Sequence, residues 1–183
     1  GPLQDNRHVM ALDDQGFVWT WGKNGAGQCG LGHTIDMYTP QRLPRGYFNN
    51  ERAIDIVAMG ASSYGCSYAR TQSNNLYAWG YNTYGQVGNG STLSQPSPVQ
   101  IGTSSWTQVT TNTNNSVFAI KINGLLYSWG RNDSYQLAQG GITPVSSPSQ
   151  VGTSSWTQVR VGFTHGVAIR LDGGLFIWGS NGS

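Results

Sequence analysis

Charged side chains are scarce in this sequence of 183 residues. Ten Lys and Arg and eight Asp and Glu make up 10% of the chain, whereas about a quarter is typical of soluble domains. Between Thr71 and Gly130 the single charged side chain is Lys121. No two basic residues are adjacent, so the sequence lacks the basic stripe that nucleic-acid binding requires. The Ser, Thr, Asn and Gln that stand in place of charge are typical of secreted, adhesive or virion proteins.

Several other features are missing. No apolar run reaches about 18 residues, so no membrane-spanning helix is expected. Cys29 and Cys66 form no C-x-x-C pattern and are too few to bind zinc. Nothing in the sequence supports a disulfide between them, and their redox state stays open. No phosphate-binding loop of the form GxxxxGK[ST] is present. We therefore expect no metal, no cofactor and no catalytic residues.

A repeated Trp-Gly pair is the most informative feature that is present. The pairs begin at Trp21, Trp79, Trp129 and Trp178, at steps of 58, 50 and 49 residues. The segment GTSSWTQV also occurs twice, at 102–109 and 152–159. A period of about 50 residues indicates a propeller, a solenoid or another array. We interpret the chain as one array, 1–183, with approximate units 1–58, 59–108, 109–158 and 159–183, the last incomplete.

One unit contains about four short strands. Apolar runs at 98–101 and 106–109 precede a longer run, rich in β-branched and aromatic residues, at 116–122. Asn123-Gly124 follows and is a strong hairpin signal, and 125–129 reads as the returning strand. Four-stranded units in an array predict an all-β propeller. A β-solenoid is the competing interpretation, although its rungs are usually shorter.

The motif W-G-x-N-x-x-G-Q-x-G-x-G, preceded by H-x-h-A-h and a hairpin, resembles the repeat of the regulator of chromosome condensation family. This resemblance implies a β-propeller that usually closes seven blades, of which the chain supplies about three and a half. Either further blades of a longer polypeptide or a second subunit would then complete the ring. The residues assigned to the structural repeat motif are Trp21, Gly22, Asn24, Gly27, Gln28, Trp79, Gly80, Asn82, Gly85, Gln86, Trp129, Gly130, Asn132, Gln136, Trp178 and Gly179.

The third unit departs from this motif. Tyr135 and Ala138 replace two of its glycines, which predicts a different loop conformation in that blade. His8 and His165 occupy one repeat position, so we interpret them as structural hydrogen-bonding residues. Asp13-Asp14 reads as a hairpin turn, because Asp is favoured in turns.

Two groups of residues are candidates for partner contact. The first unit is longer than the others because its 36–50 segment is enlarged, and inserted loops commonly carry binding. Aromatic residues in the other loops would suit a protein interface. The candidate contact residues are Arg42, Arg45, Tyr47, Phe48, Tyr84 and Tyr135.

Three functional classes fit these patterns, none of them enzymatic. The low charge favours a structural or adhesive module of a virion, such as a phage tail or surface protein, or of an extracellular assembly. An intracellular interaction scaffold is the first alternative, and the resemblance includes guanine-nucleotide exchange on a small GTPase. A propeller-type protein inhibitor is the second. All three predict protein partners, with an extracellular or virion-associated location in the first case and a cytoplasmic one otherwise.

Overall fold

The computed structural model describes residues 7–60, 64–103 and 105–180. Within these ranges the regular structure consists of thirteen β-strands and a short 3-10 turn at Arg45–Phe48. The strands are β1 (His8–Leu12), β2 (Val18–Gly22), β3 (Met37–Arg42), β4 (Ala53–Met59), β5 (Cys66–Thr71), β6 (Leu76–Gly80), β7 (Gln95–Gln100), β8 (Trp106–Thr111), β9 (Ser116–Lys121), β10 (Leu125–Gly130), β11 (Val145–Val161), β12 (His165–Arg170) and β13 (Leu175–Gly179).

The strands form four antiparallel blades. The first blade is β1–β2–β3 and the second is β4–β5–β6–β7. The third and fourth blades share the long strand β11, because its residues up to Ser155 pair with β10 and those from Trp156 onward pair with β12. The third blade is therefore β8–β9–β10 with the first part of β11. The fourth is the last part of β11 with β12 and β13.

Each of the first three sequence units contributes strands to two blades. Strand β4 begins at Ala53 and opens the second blade, although it precedes most of the second unit. In the same way β8 begins at Trp106 and opens the third blade. Because each of these three units crosses from one sheet to the next, neighbouring blades are covalently coupled as well as packed together.

The strands at the two edges of a blade differ in composition. Strand β4 lies against β8, and β8 lies against β11, so the opening strands of successive blades converge. The closing strands β3 and β7 carry Pro40, Pro96 and Pro98, and the first part of β11 carries Pro148. Proline offers no N–H to a further strand, so these edges are protected from unwanted pairing.

Each blade has two faces, which we name from the strand that ends in the Trp-Gly pair. Successive side chains of a strand point to opposite faces. The Trp face carries the Trp itself, and the Leu face carries the residue three positions before it. The Trp-face residues are Trp21, Trp79, Trp129 and Trp178, and the Leu-face residues are Val18, Leu76, Leu126 and Leu175.

Three hydrophobic clusters fill the spaces between consecutive blades. Val18 shares a cluster with Trp79, Leu76 shares one with Trp129, and Trp178 packs against the cluster that contains Leu126. In every case the Leu face of one blade meets the Trp face of the next. The core is thus a series of layers between sheets, as the alternating pattern of the strands requires.

Glycine after each Trp is required by the backbone. Gly80 has φ +103, and an added Cβ would lie 2.4 Å from the carbonyl oxygen of Gly65, the residue just before the neighbouring strand β5. L-residues with a Cβ rarely adopt this conformation. The recurrence of Gly at this position therefore reflects sheet geometry.

The register gives each blade two distinct ends. Cys66 pairs with Gly80, and Gly80 pairs with Gln95, so the connections beside these residues lie at the same end of the second blade. Equivalent pairs occur in the other blades. The loop end comprises 23–36, 64–65, 81–94, 112–115, 131–144 and 162–164. The hairpin end comprises the turns 13–17, 72–75, 122–124 and 171–174.

Candidate interaction surface

The Asn of the repeat motif organises each long loop from within. Asn82 is fully buried; its Oδ1 accepts from the Val87 N–H at 2.8 Å. Its Nδ2 donates to the carbonyl oxygens of Ser91 (2.9 Å) and Leu93 (3.0 Å). Asn24 and Asn132 make the corresponding bonds in the first and third loops. The polar atoms of these amides are hydrogen-bonded to the backbone of their own loops, so we do not expect them to bind a ligand.

The Gln of the motif joins each loop to the next blade. The Gln86 Oε1 accepts from the Tyr84 N–H at 2.9 Å, which closes the tip of the loop. The Gln86 carbonyl accepts from Trp129 Nε1 at 2.9 Å and from the Tyr68 hydroxyl at 2.6 Å. The carbonyls of Gln28 and Gln136 accept from the next Trp indole at 2.9 and 3.0 Å. Each of these three loops is therefore fixed between two blades.

The expectation that the third loop adopts a different conformation is wrong. Tyr135 and Ala138 have φ values of 59° and 57°, in the same left-handed region as the glycines they replace. The Tyr135 N–H donates to the Asn132 carbonyl, as the Gly85 N–H donates to that of Asn82. The bond is longer, 3.4 Å against 2.8 Å. The Asn and Gln framework imposes this backbone even where a side chain makes it costly.

Several aromatic side chains lie at the loop end. Tyr64, Tyr135 and Phe163 are 55%, 59% and 62% exposed. Tyr64 also packs against Tyr81 with ring centroids 5.1 Å apart. Tyr84, on the same loop as Tyr81, lies beneath Arg131. The guanidinium carbon of Arg131 is 5.0 Å from the ring centroid of Tyr84.

The charges of the loop end are paired. Within the ranges that define it there are four Lys, Arg, Asp and Glu residues. Lys23 Nζ lies 2.7 Å from Asp36, and their hydrogen bond raises the pKa of Lys23 and lowers the pKa of Asp36. Arg131 Nε donates to Asp133 at 2.7 Å. Burial would raise the pKa of Asp133, but hydrogen bonds from Arg131 and Gln136 outweigh it and lower the pKa. The surface is thus aromatic, amide-rich and close to neutral.

The candidate contact residues of the enlarged segment lie at the hairpin end, because β3 carries the chain there from Met37 to Arg42. Arg42 and Arg45 stack on Phe17, with guanidinium carbons 4.5 and 4.1 Å from the ring centroid. Tyr47 packs against the cluster between the first two blades. Phe48 belongs to that cluster and is 2% exposed.

Phe48 must therefore be removed from the candidate contact residues, because its side chain has no free surface. Arg42 is exposed and Arg45 is half-buried, both at the hairpin end. Tyr84 and Tyr135 lie at the loop end, so the six candidates do not form one site. Tyr64 and Arg131 also lie at the loop end, and no sequence pattern predicted this. Only the strand register shows that their loops are at the same end of the blades.

His8 and Asp13, which are capable of acid–base chemistry, make structural contacts. His8 Nε2 lies 2.7 Å from Ser67 Oγ across the first interface, and burial lowers the pKa of His8 to about 4. Asp13 Oδ1 accepts from Phe17 N and its Oδ2 from Trp19 Nε1, which fixes the first hairpin turn. Cys29 and Cys66 are free thiols, and burial raises the pKa of each to about 12.

Two absences apply to the described parts of the chain. No helix there has the length and apolar character to cross a membrane. No three His, Cys, Asp or Glu side chains come together in an arrangement that could hold a metal ion.

Comparison with known proteins identifies the repeat. The family model described as the regulator of chromosome condensation (RCC1) repeat matches residues 15–66, 73–118 and 123–169. The chain belongs to the RCC1 repeat family. Among curated proteins, the ultraviolet-B receptor UVR8 of Arabidopsis thaliana is 40% identical over 83 residues, which is 45% of this chain and 18% of the receptor.

Solved structures show the same RCC1 propeller architecture. Human WBSCR16 superimposes with a TM-score of 0.80 at 24% identity, covering 94% of this chain and 45% of that protein. Prp20p of Saccharomyces cerevisiae gives a TM-score of 0.78 at 21% identity, covering 96% of this chain and 43% of that protein. The chain thus spans less than half of these relatives. The fold expected from the sequence, a partial RCC1-type β-propeller, is confirmed.

Proposed function

We propose that the chain is a non-enzymatic protein-interaction module that binds its partner through the loop end. The observation that carries the proposal is the exposure of Tyr64, Tyr135 and Phe163 at the loop end, where hydrogen bonds of the motif Gln residues fix the long loops between two blades. Tyr and Arg are enriched among the residues that dominate protein interfaces, and Tyr buries a large area at a small entropic cost. A preformed backbone lowers the ordering cost of association further.

The near-neutral charge of this surface indicates how it would bind. Both ion pairs are formed within the loop end itself, so a partner would not need to supply compensating charge. We expect contact through aromatic packing and amide hydrogen bonds, with little dependence of the affinity on salt concentration. A strong decrease in affinity between low and physiological salt would argue against the loop end.

Site-specific photo-crosslinking tests the location of the contact. A photoreactive amino acid is placed at Tyr135 on the loop end and, as a matched control, at Ile122 on the hairpin end, which is 68% exposed. The protein is then exposed to extracts of its source. We expect a discrete crosslinked partner from position 135 and none from position 122. The same partner crosslinked from 122 alone would refute the loop-end assignment.

Alanine substitution then measures the contribution of the aromatic residues. Tyr84→Ala and Tyr135→Ala should each weaken binding of the crosslinked partner about tenfold or more, equivalent to about 1.4 kcal/mol. The melting temperature should change little for Tyr135, because its ring is largely exposed. Unchanged affinity in both variants would mean that the aromatic residues pack only within the loops.

A guanine-nucleotide exchange role is the alternative that the comparisons favour. Prp20p, whose fold this chain shares, was solved together with a study of its binding to Gsp1p and histones. The proposal for this chain is a related scaffold that contacts a small GTPase. Acceleration of nucleotide release from a panel of small GTPases would support it, and unchanged release rates would exclude it.

A virion or adhesive role and an extracellular location remain predictions that rest on composition. An inhibitor role remains a prediction that rests on the aromatic residues of the loops. Fractionation of the source separates the first case from the others, because a structural virion protein must co-purify with particles. Recovery of the protein only in the cytoplasmic fraction would exclude the virion and adhesive roles and leave the proposed interaction module unaffected. Inhibition of a defined enzyme by the loop end would identify the inhibitor class.

A further inference from the structure

Flat side chains recur at one position of the loop end in the second and third blades. Tyr81 and Arg131 each follow the motif glycine of their blade. Tyr81 packs against Tyr64, with ring centroids 5.1 Å apart and ring planes at 32°. Arg131 lies over the ring of Tyr84, which belongs to the preceding long loop. We name these four residues, Tyr64, Tyr81, Tyr84 and Arg131, the tyrosine row.

Backbone hydrogen bonds place the two pairs of the row one blade apart. The Tyr81 N–H donates to the Gly65 carbonyl at 2.8 Å, and the Arg131 N–H donates to the Asn115 carbonyl at 2.9 Å. Tyr81 in the second blade is therefore the equivalent of Arg131 in the third. Sheets that pack face to face lie about 10 Å apart. The row thus presents flat groups that repeat at about this interval.

The hydroxyl groups of the row are unused within the described chain. Tyr68, inside the second blade, shows the alternative, because its hydroxyl donates to the Gln86 carbonyl at 2.6 Å. The hydroxyls of the three tyrosines in the row form no hydrogen bond with any described residue. Tyr64 is 55% exposed, and the other two are half-buried. A phenolic hydroxyl can donate to a carbonyl oxygen, so the row offers donors beside its flat surfaces.

The row offers no free charge to a ligand. Arg131 is its charged member, and the Arg131 Nε and Nη2 contact the Asp133 carboxylate. The Arg131 Nη1 donates to Asn114 Oδ1 at 2.8 Å. A guanidinium group bonded along its edge still has a flat face for stacking. These contacts favour a ligand with apolar rings and carbonyl oxygens over one with phosphate or carboxylate groups.

We infer that the tyrosine row binds a proline-rich segment of the partner in the polyproline II conformation. This helix has three residues per turn and rises about 3.1 Å per residue, so its rings recur about every 9 Å along one side. That repeat is close to the separation of neighbouring blades. Its carbonyl oxygens make no internal hydrogen bonds, and proline has no N–H that would need an acceptor.

Both features of such a segment match the row. Proline rings pack on aromatic surfaces, as in other domains that recognise this conformation, and the tyrosine hydroxyls donate to the free carbonyl oxygens. The conformation is formed before binding, which lowers the entropic cost of association. This assignment of the partner rests on the proposed function of the loop end, since it specifies the chemistry of the segment that is bound there.

Calorimetric titration of the 183-residue chain with capped decaproline tests the inference. Decaproline presents rings and carbonyl oxygens and carries no charge. A capped decapeptide of alternating Gly and Ser is the matched ligand control, because it has the carbonyl oxygens without the rings. We expect saturable binding of decaproline and no binding of the control at the same concentration.

Removal of single hydroxyls locates the contact. Tyr64→Phe and Tyr81→Phe keep the rings and should each weaken decaproline binding about two- to tenfold, the range expected for one hydrogen bond. Tyr64→Ala also removes the ring and should weaken binding more than Tyr64→Phe. Tyr38→Phe is the matched control, because Tyr38 is 83% exposed on β3 and outside the row; its affinity should not change. The melting temperatures of the Phe variants should stay the same, since the lost hydroxyls have no partner in the described chain.

Three outcomes would overturn the inference. The first is no saturable binding of decaproline up to about 1 mM, and the second is equal binding of the Gly-Ser peptide. The third is full affinity in Tyr64→Phe, Tyr81→Phe and Tyr64→Ala, which would place the peptide outside the row. The proposed function is decided separately, by crosslinking from position 135. A crosslinked partner without decaproline binding would retain the interaction module and remove its proline-rich ligand.

Discussion

Exchanging glycine and alanine at one repeat position should change stability in opposite directions in two blades. Gly88 and Ala138 both lie two residues after the motif Gln, and both have positive φ, +85° and 57°. An added Cβ at Gly88 would lie 2.7 Å from Trp129 Nε1. We therefore expect Gly88→Ala to destabilise the protein and Ala138→Gly to stabilise it.

The cost of Gly88→Ala has two parts. A left-handed conformation costs a residue with a Cβ about 1–2 kcal/mol. The methyl group must also displace the Trp129 ring, which is fully buried and bonded to the Gln86 carbonyl. Overpacking of this kind costs about 1–3 kcal/mol. The total is about 2–5 kcal/mol, a large fraction of a typical folding free energy.

Ala138 is tolerated because the neighbouring Trp has more room. The Trp178 ring lies on Gly166, where an added Cβ would be 2.4 Å from its Cε2 and Cζ2 atoms. The equivalent of Gly166 is Val117 in the third blade, paired with Trp129. In the fourth blade the small Gly166 lies beneath the Trp178 ring, which leaves space for the methyl group of Ala138. Ala138→Gly removes the backbone strain and should stabilise by about 0.5–1 kcal/mol.

Urea unfolding followed by Trp fluorescence measures both effects. Gly141→Ala is the control, because its Cβ would meet no atom within 4 Å and its φ is not positive; it should change stability by less than about 0.5 kcal/mol. The reasoning is refuted if Gly88→Ala is as neutral as this control. It is also refuted if Ala138→Gly destabilises the chain.

Two further predictions concern the interfaces between blades. Trp129→Ala should destabilise by about 3–5 kcal/mol in chemical denaturation, because the ring is fully buried; a loss below about 1 kcal/mol would contradict the packing described. His8 is neutral when folded down to its pKa of about 4, whereas the unfolded chain takes up a proton below about 6.5. Stability should therefore fall by up to about 3 kcal/mol between pH 6.5 and pH 4. His8→Gln should flatten this dependence, and an unchanged slope would assign it to other groups.

Much of the fold could be predicted because repetition exposes the alternation of strands. The expected strand 116–122 corresponds to β9 (Ser116–Lys121), and the Asn123-Gly124 hairpin joins it to β10 as expected. The continuous strand β11 could not be foreseen. Its two parts belong to different sheets, whereas in the earlier copy of the GTSSWTQV segment the strand begins only at Trp106.

The contact residues were harder to predict, because exposure depends on the register between distant loops. Phe48 lies in an enlarged loop, yet it packs edge-on against Tyr77, with ring centroids 5.2 Å apart. A loop aromatic can equally fill a cluster or face solvent, and sequence does not distinguish the two. Likewise, glycine preference alone predicted the wrong conformation for Tyr135, since the preference omits the bonds that hold the backbone in place.

The division between framework and variable positions explains how such an array can acquire a partner. At the tip of each long loop, the motif Gln side chain accepts from a backbone N–H, that of Ala26, Tyr84 or Ser134. Because the bond uses main-chain atoms, the side chain at that position is free to differ without changing the loop. The next position shows the same freedom, with Gly85 and Tyr135 sharing one conformation. Recurring residues therefore maintain the propeller, and the residues on which the repeats disagree are the ones free to serve the proposed recognition.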